Sequence, residues 1–233
     1  MSGAGFFMPV PAPEMSGRVF SMPVPAPETI RGRFFGEGTR RRAMPLVSRA
    51  ARAQIRGMFF RKLASRYSLA NLKPVETARL RLAPLVPSDA EAVRALTDDP
   101  AITGVVDFLP TPFTLQDARR LIGPAKVTKD CFLGARLRSD GALAAVIGLH
   151  LRGDHAAEVG YWVGGAARGQ GLGTEAVTAA VGLLRERFPH RFIIAQCRPE
   201  NAASAGLLRK VGFRDTGDAG ELPGRRIFTF APA

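Results

Sequence analysis

The chain has 233 residues, of which 46% are hydrophobic, and it carries a formal net charge of +13 at pH 7. This length and composition are typical of one sizeable globular domain with an extension, and no run of about 18 apolar residues predicts a transmembrane helix. Two cysteines, Cys131 and Cys197, fit neither a disulfide framework nor a zinc site, so we expect reduced thiols, a cytoplasmic protein and no bound metal.

The positive charge is concentrated in the N-terminal third of the chain. Residues 1–74 hold 13 Lys and Arg against three Glu, which gives +10, whereas residues 75–233 hold 20 against 17 acidic residues, which gives +3. The heptapeptide MPVPAPE occurs twice within residues 1–37. Proline at alternate positions removes backbone donors and favours extended structure, so residues 1–37 are predicted to be disordered.

The basic segment, residues 38–74, contains no acidic residue. Within it, apolar residues recur at helical spacing beside arginines, which predicts a basic amphipathic helix; they are Val47, Ala51, Ile55, Phe59 and Leu63. Such a helix suits a ribosome or RNA contact, a membrane surface or a targeting presequence. The alternative interpretation is an unstructured extension, with Met44 or Met58 as the start of a shorter chain.

The Lys73-Pro74 pair marks the start of a predicted domain over residues 75–233. Alternating apolar residues predict a first strand around 76–85, and capping and proline signals predict two helices after it, the first of them ended by Asp98-Asp99-Pro100. Three strands joined by Asp-containing turns follow as a meander. In chain order, the strand is followed by helices at 90–96 and 115–122 and by strands at 131–137, 143–151 and 157–163.

The C-terminal part of the predicted domain alternates helix and strand. We predict a helix at 173–188, a strand at 191–197, a helix at 201–211 that ends at Gly212, and strands at 213–216 and 226–230. The resulting order is β-α-α-β-β-β-α-β-α-β-β. It predicts an α/β (α+β) fold with one mixed, mainly antiparallel sheet flanked by helices.

The segment RGQGLG, residues 168–173, places three glycines directly before a helix. A helix N-terminus presents unpaired backbone N–H groups and a partial positive charge, and glycines allow a phosphate to approach closely. The segment therefore predicts an anion site. It lacks the lysine of a P-loop, and its G-x-G-x-G spacing after an antiparallel meander does not fit a dinucleotide fold. A tight turn without a ligand remains the alternative.

Four segments in register resemble the GNAT acetyltransferase superfamily. Residues 168–173 match its R/Q-x-x-G-x-G/A loop, and NAASAGLLRKVGF at 201–213 resembles the N-x-x-S…K-x-G-F segment of the ribosomal-protein N-terminal acetyltransferase branch, the RimJ/RimL type. AEVGYWV at 157–163 resembles the fourth strand of the family, and ETARLRLAPLVPSDAEAVRAL at 76–96 resembles the opening strand and helix of that branch. The resemblance covers residues 75–233.

The resemblance implies acetyl-CoA as co-substrate, held in a V-shaped split where the strands at 157–163 and 191–197 splay apart. The pyrophosphate would lie on the amides of the glycine loop, the pantetheine arm would pair with the strand near Trp162, and Asn201 and Ser204 would lie near the thioester. The implied coenzyme-binding residues are Trp162, Val163, Arg168, Gly169, Gln170, Gly171, Leu172, Gly173, Thr174, Asn201 and Ser204.

The implied reaction is direct transfer of the acetyl group from sulfur to a primary amine, either a protein N-terminus or a small amine. The amine must lose a proton, and Glu158, acting through water, is the first candidate base, followed by His150 and His155. Many family members protonate the thiolate with a tyrosine two residues before the position of Lys210, where this chain has Leu208. Ser204 is the implied substitute, as a hydrogen-bond donor.

Two other functions remain open at this stage. A missing tyrosine and an uncertain base fit a non-catalytic acyl-CoA-binding module of the same fold. The basic segment 38–74 fits a protein associated with the ribosome or RNA, which is compatible with the enzyme. Tyr161 and Trp162 are expected to line the split as packing residues. The sequence does not identify the acceptor, and it leaves monomer and homodimer open.

Overall fold

The computed structural model describes residues 68–123 and 129–230. The predictions for the proline-rich repeat and for the basic segment up to residue 67 lie outside this range. Leu69 and Leu72 are buried in the main core, at 1% and 7% exposure. The packed domain therefore begins upstream of residue 75, since these two leucines contribute to its interior.

A single eight-stranded sheet forms the centre of the domain, in the order β1-β2-β3-β4-β5-β6-β8-β7. All neighbouring strands are antiparallel except β5 and β6, which are parallel. This arrangement confirms the predicted mixed, mainly antiparallel sheet. The strands are β1 (Val75–Glu76), β2 (Leu80–Pro84), β3 (Asp130–Leu137), β4 (Leu143–Arg152), β5 (Ala156–Val163), β6 (Phe192–Cys197), β7 (Phe213–Ala219) and β8 (Arg226–Phe230).

In the described part of the chain, five α-helices flank the sheet: α1 (Ala90–Thr97), α2 (Pro100–Thr103), α3 (Leu115–Ile122), α4 (Leu172–Arg187) and α5 (Ala202–Val211). Four of them were predicted to within two residues at each end. The short helix α2 was not, because Asp98-Asp99-Pro100 was interpreted as a helix terminator. Instead the Asp99 side chain accepts a hydrogen bond from the Ala101 N–H and Pro100 occupies the first turn, so the same residues also start a helix.

The two faces of the sheet have separate hydrophobic cores. Helices α4 and α5 pack on one face, where α4 buries Val177, Val181 and Leu184. Helices α1 to α3 pack on the other face around Trp162, whose indole N–H donates to Thr97 Oγ1 at 2.9 Å. Because side chains alternate along β5, this strand sends Trp162 toward α1 and Tyr161 toward the α4 and α5 side.

Strands β5 and β6 separate after a short paired stretch. Only three residue pairs join them, Ala156 with Phe192, Ala157 with Ile193 and Glu158 with Ile194. Beyond that point β6 stays paired with β8 on its other side, while β5 stays paired with β4. The edge of β5 from residue 159 to 163 therefore faces a split, as the family resemblance implied.

Candidate active site

The glycine loop, residues 168–173, joins the end of the β5 segment to helix α4. Gly169 and Gly171 have φ values of +74° and +76°, in the left-handed region that favours glycine. A Cβ on Gly173 would lie 2.9 Å from Val163 Cγ2 and 3.0 Å from Leu207 Cδ1. The third glycine therefore lets the start of α4 pack closely against β5 and α5.

After Arg168, the backbone amides of the loop have no hydrogen-bond partner among the described residues. Within residues 68–123 and 129–230, no acceptor bonds the backbone N–H of any residue from 169 to 174. These six groups surround the N-terminus of a 16-residue helix, where the helix dipole adds a partial positive charge. The amide of Arg168 is different, since it donates to the Gly165 carbonyl at 3.3 Å.

The Arg168 side chain braces the loop, although it is 42% exposed. Its Nε donates to the Val163 carbonyl at 3.0 Å, and its Nη2 donates to Asp99 Oδ2 at 2.8 Å. The Ala101 amide and then the Arg168 guanidinium hold the pKa of Asp99 below its usual range. Gln170 also has a local partner, the Ala166 carbonyl at 2.6 Å. Both side chains thus fix the shape of the loop.

Arg79 is a brace of the glycine loop that the sequence analysis did not identify. Its Nη1 donates to the Gln170 carbonyl at 2.9 Å, and its Nε donates to Glu175 Oε2 at 2.7 Å. Glu175 also accepts from Thr77 Oγ1 at 2.6 Å and from the Arg79 amide. Burial raises the pKa of Glu175, but these hydrogen bonds and the Arg79 charge outweigh burial and lower it overall.

Two cavities flank the split. The loop cavity, about 580 Å³, lies beside the glycine loop and the start of α5, and it contains nine of the eleven implied coenzyme-binding residues. Gln170 and Leu172 do not line it, and Leu172 is buried at 3% exposure. The nine are Trp162, Val163, Arg168, Gly169, Gly171, Gly173, Thr174, Asn201 and Ser204. Their role in coenzyme binding stays a prediction.

The second cavity, called here the His150 cavity, has a volume of about 510 Å³. It is lined by residues of β3, β4, β5 and β6 and by the loops after α2 and β7. The two cavities share part of their walls, including Tyr161, Trp162, Asn201 and Ser204. A molecule in one cavity would therefore meet a molecule in the other at these four residues.

A pair of hydroxyl groups lies at this junction. The Tyr161 hydroxyl is 2.9 Å from Ser204 Oγ and also donates to the Ser204 carbonyl at 3.2 Å. Asn201 caps helix α5 by accepting from the Ser204 amide at 3.0 Å, which fixes Ser204 in the first turn. Burial raises the pKa of Tyr161 to about 12, so the phenol stays protonated at neutral pH. Tyr161 therefore contributes a polar contact beyond the packing expected of it.

Glu158 has both carboxylate oxygens occupied. Arg152 Nε donates to Oε2 at 2.6 Å, and Gln196 Nε2 donates to Oε1 at 3.2 Å. The Glu158 side chain is 13% exposed and lies in the wall of the His150 cavity. Each oxygen of the Glu158 carboxylate thus already accepts a hydrogen bond from the protein, and the role of Glu158 as the base stays a prediction.

His150 on β4 is the cross-strand neighbour of Glu158 on β5, and it has a carboxylate partner of its own. Its Nδ1 is 2.7 Å from Asp130 Oδ1, and its ring packs edge-on against Phe132 with ring centroids 5.5 Å apart. When Nδ1 donates its proton to Asp130, Nε2 carries the free lone pair. His150 lines the cavity, whereas His155 lines neither cavity.

The sheet split, the glycine loop at the start of α4 and the paired cavities define a fold of the GNAT type. The GNAT acetyltransferase domain family matches residues 79–214, more than half of the chain, so the chain belongs to this family. A search of curated proteins found no match to the chain.

Several solved structures share the fold. A GNAT-family acetyltransferase from Bacillus anthracis is similar with a TM-score of 0.59 and 23% identity, over 68% of this chain and 98% of that one. RimJ from Mycobacterium smegmatis, solved with a CoA-disulfide, has a TM-score of 0.56 and 20% identity, over 69% and 88%. The ribosomal-protein-S5-alanine acetyltransferase of Vibrio fischeri has a TM-score of 0.56 and 18% identity, over 67% and 94%. At these identities the likeness concerns the fold.

Neither a metal site nor a membrane span occurs in the part of the chain that the structure describes. No group of three His, Cys, Asp or Glu side chains there is arranged to hold a metal ion. None of the helices in that part is long and apolar enough to cross a membrane. Cys131 and Cys197 are both free thiols.

Proposed function

We propose that the protein transfers the acetyl group of acetyl-CoA to a primary amine by direct attack. The supporting observation is the junction of the two cavities at Tyr161 and Ser204, with six free backbone amides on one side and the His150–Asp130 pair on the other. The coenzyme diphosphate would bind the amides of residues 169–174. Its thioester would then reach the junction through the split beside β5.

His150 is the base in this proposal. The amine nitrogen must be neutral to attack, and α-amino groups and lysines have ordinary pKa values near 8 and 10.4, respectively. His150 Nε2 accepts the proton of the amine while Asp130 stabilises the imidazolium that forms. Glu158, held by Arg152 and Gln196, acts as a positioning residue for the cavity wall.

Ser204 stabilises the leaving group in this proposal. When the amine nitrogen bonds to the acetyl carbon, the carbon–sulfur bond breaks and its electron pair leaves with the CoA sulfur. The Ser204 hydroxyl donates a hydrogen bond to this thiolate, and the Tyr161 phenol turns its proton from the Ser204 carbonyl to Ser204 Oγ, which then accepts it. A phenol with a pKa of about 12 keeps its proton beside a thiolate of ordinary pKa near 8.5, so the pair supplies hydrogen bonds and not a proton.

The proposal is tested by a panel of acceptors with mass-spectrometric detection of the acetylated product and colorimetric detection of CoA release. The panel contains small amines, amino acids and N-terminal peptides, including one from ribosomal protein S5, because a structural neighbour is named for that substrate. Acetyl-CoA binding by calorimetry in the micromolar range together with turnover supports the enzyme. Binding without turnover supports the non-catalytic module, and absence of binding contradicts both.

A further inference from the structure

Exposed apolar side chains gather at the mouth of the His150 cavity. Five large hydrophobic residues are exposed in the described part of the chain, and three of them line this cavity: Val105, Phe108 and Leu222, at 38%, 58% and 45% exposure. Single exposed apolar residues are ordinary on protein surfaces, but a group around the opening of a cavity indicates a binding function.

An aromatic wall leads from this mouth to His150. The Phe108 ring centroid lies 6.2 Å from that of Trp162 and 6.4 Å from that of Phe132. Phe132 lies 6.0 Å from Trp162 and 5.5 Å from the His150 ring. An apolar group that rests on Phe108 and Trp162 therefore has a continuous apolar surface beneath it up to the imidazole.

The charges of the cavity already have partners. The four arginines in its lining each bond a carboxylate: Arg152 pairs with Glu158, Arg120 with Asp117, and Arg198 and Arg225 both with Asp107. Asp130 is bonded to His150. One buried donor, Arg198 Nε, lacks a partner among the described residues. That atom is buried, so the cavity offers an anionic acceptor no unpaired guanidinium.

Asp107 also ties together the two loops that form the mouth. Arg225, from the β7–β8 loop, donates to Asp107 Oδ2 from Nε at 3.0 Å and from Nη2 at 2.8 Å. Asp107 belongs to the loop after α2, between Val105 and Phe108, and Leu222 lies three residues before Arg225. The ion pair therefore holds the apolar rim in place without a ligand, which lowers the entropy cost of binding.

We infer that the acceptor is a primary amine that carries a bulky apolar group, aromatic or branched aliphatic, close to its nitrogen. The inference rests on the proposed acetyl transfer and adds the substrate class. The apolar group lies against Phe108, Trp162 and Leu222, and the amine reaches His150 Nε2. Both an arylalkylamine and a peptide that begins with a large apolar residue have this chemistry, so the test includes both.

The test compares kcat/KM for 2-phenylethylamine, ethylamine and β-alanine, and for two peptides of otherwise identical sequence that begin with phenylalanine or with serine. We expect 2-phenylethylamine to exceed ethylamine by about 100-fold, because each apolar group buried in a specificity pocket contributes strongly to discrimination. The peptide with N-terminal phenylalanine is expected to exceed the peptide with N-terminal serine by a similar factor if the natural source is a chain terminus. A preference in either pair supports the inference.

Variants connect the preference to the cavity. Phe108→Ala and Leu222→Ala are each expected to reduce the preference for the apolar amine about tenfold while the KM for acetyl-CoA stays unchanged. Phe192→Ala is the matched control, because Phe192 is 69% exposed and lines neither cavity. If neither the apolar amine nor the apolar peptide is preferred over its polar or smaller counterpart, the inference alone is overturned. Absence of acetyl-CoA binding and of turnover with every amine overturns the proposed function with it.

Discussion

The loop cavity and the His150 cavity are built in different ways. The loop cavity takes five of its lining residues, three of them glycines, from one short run of sequence, residues 168–174, and most of the others from β5, from α5 and from residues 101–106. The His150 cavity is formed by side chains from β3, β4, β5 and β6 and from two loops more than 100 residues apart. A binding site made of backbone groups can recur across a protein family, because many different sequences can form it. A binding site made of side chains varies among members of a family, because the loops that supply the side chains vary in sequence.

The largest effect is expected from the His150 cavity, where we predict that His150→Gln lowers kcat by about 10² to 10⁴. The amide removes the proton acceptor but keeps a polar group of similar size, so the Kd of acetyl-CoA should not change. Glu158→Gln is the companion variant, since it disrupts the ion pair with Arg152 and is expected to lower kcat less. A larger loss in Glu158→Gln would restore Glu158 as the base.

The next effect belongs to the loop cavity, where Gly173→Val is predicted to weaken acetyl-CoA binding by at least about tenfold. The added atoms would collide with Val163 and Leu207, which lie 2.9 and 3.0 Å from a Cβ at this position, and would displace the start of α4. Gly182→Ala in the same helix is the control, because a Cβ there meets nothing within 4 Å. If Gly173→Val bound acetyl-CoA as tightly as the unmodified protein, the amides of the glycine loop would not be the coenzyme-binding groups.

A smaller effect is expected at the junction of the two cavities. Ser204→Ala and Tyr161→Phe should each lower kcat about tenfold, since a hydrogen bond to a charged group contributes about 1.5–3 kcal/mol and water replaces part of it. Because both hydroxyls act through one hydrogen-bonded chain, the double variant should lose little more than either single variant. Simple additivity in a double-mutant cycle would show that Tyr161 and Ser204 act independently.

The smallest effect concerns stability and tests the brace beneath the glycine loop. Glu175→Gln is expected to lower the free energy of unfolding by about 1 kcal/mol at pH 7. The pKa of Glu175 is lowered on folding, so its stabilisation is present above the unfolded value of 4.5 and is lost as pH falls below it. Denaturant titrations should therefore converge for the two proteins at low pH. A difference between the two proteins that does not shrink at all as the pH falls below 4.5 would assign the effect to packing.

The sequence was most informative where the structure is local. Helix boundaries, the two hairpins and the glycine loop were predicted because caps, turns and apolar periodicity act within a few residues. The Arg79 and Glu175 brace was missed, since its partners lie 96 residues apart and an arginine on a strand looks like any exposed charge. Glu158 was chosen as the base for a similar reason. Its ion pair with Arg152 depends on the register between β4 and β5, which the sequence does not show.

The sequence by itself determined the sheet class, the family and the position of the glycine loop, because these depend on patterns formed by residues that are close together in the chain. Only the tertiary structure decided which charged groups are already paired, which histidine is hydrogen-bonded to a carboxylate, and that Tyr161 reaches Ser204. Those outcomes depend on the register of β4, β5 and β6 and on where two distant loops meet, and a difference of one residue in register would turn each of these side chains to the opposite face.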